Sequence, residues 1–181
     1  MKILFFPLYA LLCLLSRLPM RVLYAISDLF FLPVFYLIRY RRKLVQRQLA
    51  DSFPEKNDTE RRQIEKRFYH FLCDLVVEYI KLISITPEEM KRRVQFPGLD
   101  KAAQMAEADG KSFCFFYLGH YCNWEWRASY ALWAAPGWKS SQIYHPLKNR
   151  VIDRFILGLR TKFGGRCVPM KETLRHILTT R

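Results

Sequence analysis

The sequence predicts an α/β fold, with N-terminal membrane-associated helices followed by a mixed, mainly parallel sheet flanked by helices. Three observations carry that prediction. Two apolar runs, Ile3–Leu15 and Val22–Ile38, fill the N-terminal region. A compact aromatic run, Phe113–Leu118, has the length and composition of a buried strand and passes through Gly119 into a helical pattern. Beyond it, strand and helix patterns alternate, the order that sets strands side by side in parallel. The expected organisation is a membrane-embedded helical region over residues 1–38 and a second domain over residues 39–181.

Composition narrows the function. The 181 residues suffice for one domain plus a membrane anchor. Hydrophobic residues make up 51% and aromatics 15%, which excludes general disorder. A formal charge of +14 calls for an anionic partner: phospholipid headgroups, a phosphorylated glycolipid, an acidic carrier protein or nucleic acid. The five cysteines are odd in number, scattered and without a CxxC pair. Neither a zinc ribbon nor a disulfide framework is indicated, which suits a domain facing a reducing cytoplasm.

In chain order, Ile3–Leu15 follows Lys2 and resembles a signal-peptide core, but Ser16-Arg17-Leu18-Pro19 offers no small-residue cleavage site. The second run contains Asp28 and Pro33, and its length is marginal for a span at about 1.5 Å per residue. Crossing, a hairpin and an interfacial position stay open, as does a buried pair of core helices. A basic collar of Arg39, Arg41, Arg42, Lys43 and Arg47 comes next, on the cytoplasmic side by the positive-inside rule and suited to anionic headgroups. Asn57 and Glu60 have capping-box spacing and open a long helix to about Ser84, with one apolar face through Phe68, Leu72, Leu75 and Tyr79. Thr86-Pro87 starts another helix. Leu99–Asp109 is a short helix closed by Gly110. After the aromatic run, strands are expected at Lys139–His145 and Arg166–Met170, with helices at Asn149–Phe163 and Lys171–Thr180.

The chemistry concentrates in GHYCNWEW, where His120 stands five residues before Glu125. Five residues apart on one continuous helix, the two would point away from each other. With His120 in a turn and Glu125 in the first helical turn, they can meet. A carboxylate accepting one ring N–H fixes the tautomer of a histidine and leaves its other nitrogen as a base. Asn123 is placed to cap the helix. The bland reading of a histidine at a strand end is a structural hydrogen bond. Cys122 is an alternative nucleophile beside it.

The motif resembles the H-x-x-x-x-E signature of the lipid A late acyltransferases, within the lysophospholipid acyltransferase superfamily. RRKLVQRQLADSFPE is similar to that family's basic segment leading to an FP turn, with Gln48 where Asn is usual. Tyr144-His145-Pro146-Leu147-Lys148-Asn149 resembles its Y-R-P-x-x-N segment, with His145 in place of Arg. Arg160 matches its arginine on the next helix; the alternative is an arginine capping a helix C-terminus. The family continues further, to an Asp-containing segment on a later strand. The resemblance therefore implies a chain truncated at its C-terminus, an N-terminal fragment with an incomplete sheet and site.

What the resemblance implies is a membrane-bound enzyme of the bacterial inner membrane, its catalytic domain facing the cytoplasm. It would move a fatty acyl chain from a thioester donor, acyl carrier protein or acyl-CoA, to a hydroxyl of a lipid A precursor. His120 would be the general base and Glu125 its partner. Arg160, Tyr144 and Asn123 would contact substrate. No metal and no cofactor is expected, and membrane lipid is a partner. The rival readings are a basic membrane-surface protein without turnover, an acyltransferase on another glycolipid such as a mannosylated lipid, and a nucleic-acid binder. The last is disfavoured because the basic cluster abuts the apolar N-terminus.

Overall fold

Helices dominate the chain because most of it carries apolar residues at helical spacing between recognisable caps. The computed structural model describes residues 2–111 and 113–180, with side chains from residue 7 onward. Two units are resolved, Met1–Ser84 and Ile85–Arg181.

The first unit is all helical. It contains α1 (Lys2–Ser16), α2 (Met20–Leu32), α3 (Arg42–Ser52) and α4 (Asp58–Leu82). Pro33 lacks an N–H and its ring clashes with the preceding turn, so α2 does not simply continue; Pro33–Ile38 winds as a π-helix. Together Met20–Ile38 is long and apolar enough to cross a membrane by length and composition. The capping box at α4 forms as its spacing predicts: Glu60 N donates to Asn57 Oδ1 at 3.0 Å, and Asn57 N to Glu60 Oε2 at 2.9 Å. Phe31, Phe35, Tyr69 and Cys73 form one buried cluster, with Leu72 and Val45 against it. Met20, Leu23 and Val77 form a second. Polar groups bridge the same helices. Ser27 Oγ donates to Asp74 at 2.7 Å, and Tyr24 OH to Glu78 at 2.8 Å.

The second unit contains α5 (Pro87–Arg93), α6 (Leu99–Ala108), β1 (Ser141–Tyr144), α7 (Arg150–Thr161), β2 (Arg166–Pro169) and α8 (Thr173–Thr179). β1 and β2 pair in parallel, Ser141 opposite Arg166 and Tyr144 opposite Pro169, and α7 is the crossover that parallel pairing requires. Asn149 caps α7, its Oδ1 accepting from Val151 N at 3.0 Å and Ile152 N at 3.3 Å. Gly164, at φ 89°, makes the left-handed turn that returns the chain to β2. Trp126, Ala128, Leu159, Phe163 and Val168 are buried.

Two expectations are corrected here. The run Phe113–Leu118 is not a strand, and among the described residues the sheet has two strands, β1 and β2. A strand exists through its neighbours' hydrogen bonds, and this run makes no ladder with β1 or β2. Its side chains are not buried either: Phe115, Phe116 and Leu118 are exposed, and Tyr117 is 94% exposed. The helix after it, Trp124–Leu132, is a 3-10 helix instead of an α-helix. Within it Ser129 Oγ donates to Trp126 O at 2.6 Å.

Candidate active site

Glu125 lies in the first turn of the 3-10 helix and is only 3% exposed, which demands a partner for its charge. Arg160, in the last turn of α7, supplies it. Arg160 Nε donates to Glu125 Oε2 at 2.9 Å, and Nη2 to Oε1. This is the two-pronged fit of a guanidinium to a carboxylate, which fixes orientation as well as charge. The Arg160 side chain is 16% exposed, so the pair sits largely out of water. Its carbonyl accepts from Gln142 Nε2 on β1 at 2.9 Å. The pair thereby ties the 3-10 helix to α7 and α7 to β1.

His120 is exposed in the turn before this helix. Its ring meets Trp124 edge-on, with centroids 4.5 Å apart, and the Arg160 guanidinium lies 5.8 Å from the same indole. Trp124 thus stands between the histidine and the ion pair. Among the described residues no hydrogen bond joins His120 to Glu125; the carboxylate is held by Arg160 instead. Spacing alone does not predict that Glu125 pairs with Arg160. The available signal was an acidic residue embedded among aromatics, in a chain whose next crossover helix ends on an arginine.

The other predicted residues are distributed around this centre. Tyr144 ends β1 and is half-buried; burial pushes its phenol up, with Asp153 adding to the effect and Arg160 opposing it. It is therefore a neutral donor near pH 7. Asn123 holds the N-cap position, but its side chain makes no capping hydrogen bond to the helix, which corrects the capping expectation. Its backbone, at ψ 72°, departs from the extended conformation that directs a capping side chain back over the first turn. Cys122 is exposed, in left-handed backbone at φ 50°. Cys167 on β2 has its thiol pushed up by burial, with Arg160 and Arg127 pulling the other way. His145 contacts the neighbouring Pro146 carbonyl at 3.0 Å and is exposed. Among the described residues no three His, Cys, Asp or Glu side chains are grouped to hold a metal ion.

Comparison with known proteins adds a family. The sequence model described as bacterial lipid A biosynthesis acyltransferase matches residues 2–180. Lipid A biosynthesis acyltransferase 2 of Shigella flexneri is 31% identical over 142 residues, 78% of this chain and 44% of that protein. The lipid A biosynthesis myristoyltransferase of Escherichia coli (strain K12) is 28% identical over 138 residues, 76% of this chain and 41% of that protein. A lipid A biosynthesis acyltransferase of Haemophilus influenzae is 22% identical over 139 residues, covering 77% of this chain and 42% of its own length. The chain spans less than half the length of the curated relatives it matches. No solved structure matches it significantly.

Proposed function

The chain belongs to the bacterial lipid A biosynthesis acyltransferase family, and from that premise we propose that it carries the general base of an O-acyl transfer from a thioester to a lipid A precursor. The donor in this proposal is an acyl carrier protein or acyl-CoA. The setting is the cytoplasmic face of the bacterial inner membrane. The observation that supports it most is the buried Glu125–Arg160 fork beside an exposed histidine, with Trp124 between them.

An alkyl hydroxyl is a poor nucleophile at neutral pH and needs its proton removed during attack. His120 takes that proton as the oxygen adds to the thioester carbonyl. The tetrahedral oxyanion then collapses, the C–S bond breaks, and the imidazolium returns the proton to the departing sulfur. Glu125 is the positioning residue in this scheme. The Arg160 fork uses two of its roughly four acceptor sites, so the carboxylate retains capacity for the His120 ring N–H. Hydrogen bonds of this kind commonly form only in the substrate complex. Arg160 holds Glu125 in place and, with Tyr144 and Asn123, faces the acceptor in this proposal.

The test is acyl transfer from an acyl carrier protein thioester to a lipid A precursor by the natural protein and three variants. His120→Ala should lose about 10²–10⁴-fold. Glu125→Gln should lose no more than that. The double variant should be little worse than His120→Ala, because the two residues act as one unit. Multiplicative losses would place Glu125 in a separate role. Full activity in folded His120→Ala would remove the mechanism, and lipid binding without turnover by the natural protein would favour a non-enzymatic surface role.

A further inference from the structure

A cleft of about 720 Å³ in the first unit is lined by Arg39, Arg41, Arg42, Lys43, Gln46 and Arg62. Its cations are not equivalent. Arg42 is part of the frame: it is held by Glu65 at 2.7 Å and lies over the Phe35 ring at 4.8 Å. Gln46 also reaches Glu65, at 3.3 Å. Among the described residues, Arg39, Arg41, Lys43 and Arg62 have no carboxylate within ion-pair distance. Arg62 comes from α4, so the site is assembled from two parts of the chain. Arg39 and Arg41 stand in left-handed backbone, at φ 52° and 51°. Arg39 closes the π-helix and Arg41 opens α3, so both belong to the tight turn between those elements.

Four like charges in one cleft repel unless an anion joins them. The surrounding surface says what kind. The residues immediately before Arg39 are an exposed apolar face: Leu29, Phe30, Leu32 and Ile38 are all more than half exposed, and Leu37 is 79% exposed. The opposite face of the same helix is bonded to α4 through Ser27–Asp74 and Tyr24–Glu78, with His70 stacked on Phe31 at 3.5 Å. Were α2 to cross a bilayer, α4 would carry Asp74, Glu78 and His70 into the hydrocarbon, at about 2.5–3.5 kcal/mol for an acidic residue near the centre. An in-plane position leaves α4 in water and the apolar face in the leaflet.

We propose that the cleft binds the phosphate of an anionic lipid headgroup, with α2 and the π-helix lying in the plane of the leaflet and not across it. This holds independently of the acyl-transfer reading, since vesicle binding is measured without turnover. The probes are vesicles of phosphatidylcholine alone and of phosphatidylcholine with phosphatidylglycerol, at constant ionic strength. Phosphatidylglycerol should tighten binding, and replacing Arg41, Lys43 and Arg62 together by Ala should cost about a hundredfold on those vesicles. Arg17→Ala, Arg21→Ala and Arg67→Ala together, outside the cleft, should cost at least about tenfold less. Arg41→Lys with Arg62→Lys, which keeps the charge and guards against a folding artefact, should keep most of the affinity. Equal losses in the two triple variants would mean diffuse attraction and overturn the site. Full displacement by inorganic phosphate, with chloride as control, would reassign it to a free anion. Depth-dependent quenching of dyes at Val22, Leu29 and Leu37 should give one shallow depth for all three; a deep Leu29 between shallow ends would mean that the helix crosses.

Discussion

Residues 57–84 and residues 113–132 are both rich in apolar and aromatic side chains, yet one stretch is a regular helix and the other is not. α4 starts on a capping box whose two hydrogen bonds are made within four residues, and its ladder is internal. Everything it needs to form is written locally, and packing against α2 then buries Tyr69, Cys73 and Val77. Phe113–Leu118 has no internal ladder to make. As a strand it depends wholly on a neighbour, and Phe115, Phe116 and Tyr117 stand exposed. The motif that follows winds as a 3-10 helix and is tied to the rest of its unit by long-range contacts, the Glu125–Arg160 ion pair and Phe96 against Tyr130 and Trp133. Local order therefore supports the first region, and distant contacts support the second.

That contrast breaks at definable points. All four tryptophans lie in the second unit, so their fluorescence reports it, whereas far-UV ellipticity is dominated by the longer helices of the first. The largest effect is expected at Phe35, fully buried and ringed by Phe31 and Tyr69: Phe35→Ala should cost about 3–5 kcal/mol, seen as an early loss of ellipticity. A flat response would mean the helical unit does not rest on that cluster. Next comes Arg160→Ala, which strands a buried carboxylate and should cost about 3 kcal/mol, read by tryptophan fluorescence. Arg160→Lys should recover only part of this, because the charge returns without the fork. Full recovery would show that charge alone holds Glu125. Asn57→Ala removes one half of the capping box and should cost about 1 kcal/mol, with faster amide exchange confined to the first turn of α4. Smallest is Tyr117→Ser, expected within about 0.5 kcal/mol because its ring is almost wholly exposed; a larger loss would mean the run is packed in solution.

The same division explains what could be read from the residues. Asn57–Glu60, Thr86-Pro87 and Asn149 announced three helix starts correctly, since each cap is a contact between neighbours in sequence. The parallel pairing of β1 and β2 followed from strand–helix–strand order. The aromatic run misled because composition specifies what a strand is made of and not whether a partner is present. Apolar spacing predicts helical winding after the run but does not distinguish a 3-10 helix from an α-helix. At the site, the stretch holding His120 and Glu125 was legible as a chemical pattern, but the partner of Glu125 was not. Arg160 is 35 residues away along the chain, and its two sequence readings, helix cap or anion contact, both overlooked a buried carboxylate.

The exposed run Phe113–Leu118 also bears on how the protein behaves at concentration. Six consecutive residues of high strand propensity carry no formal charge and no proline. Such a segment, which joins neither strand of the sheet among the described residues, is a template for the same segment in another copy, and stacking of identical aromatic side chains reinforces the match. Self-association of this chain should begin there, and a lysine substituted at Tyr117 should raise solubility while leaving the helical unit untouched.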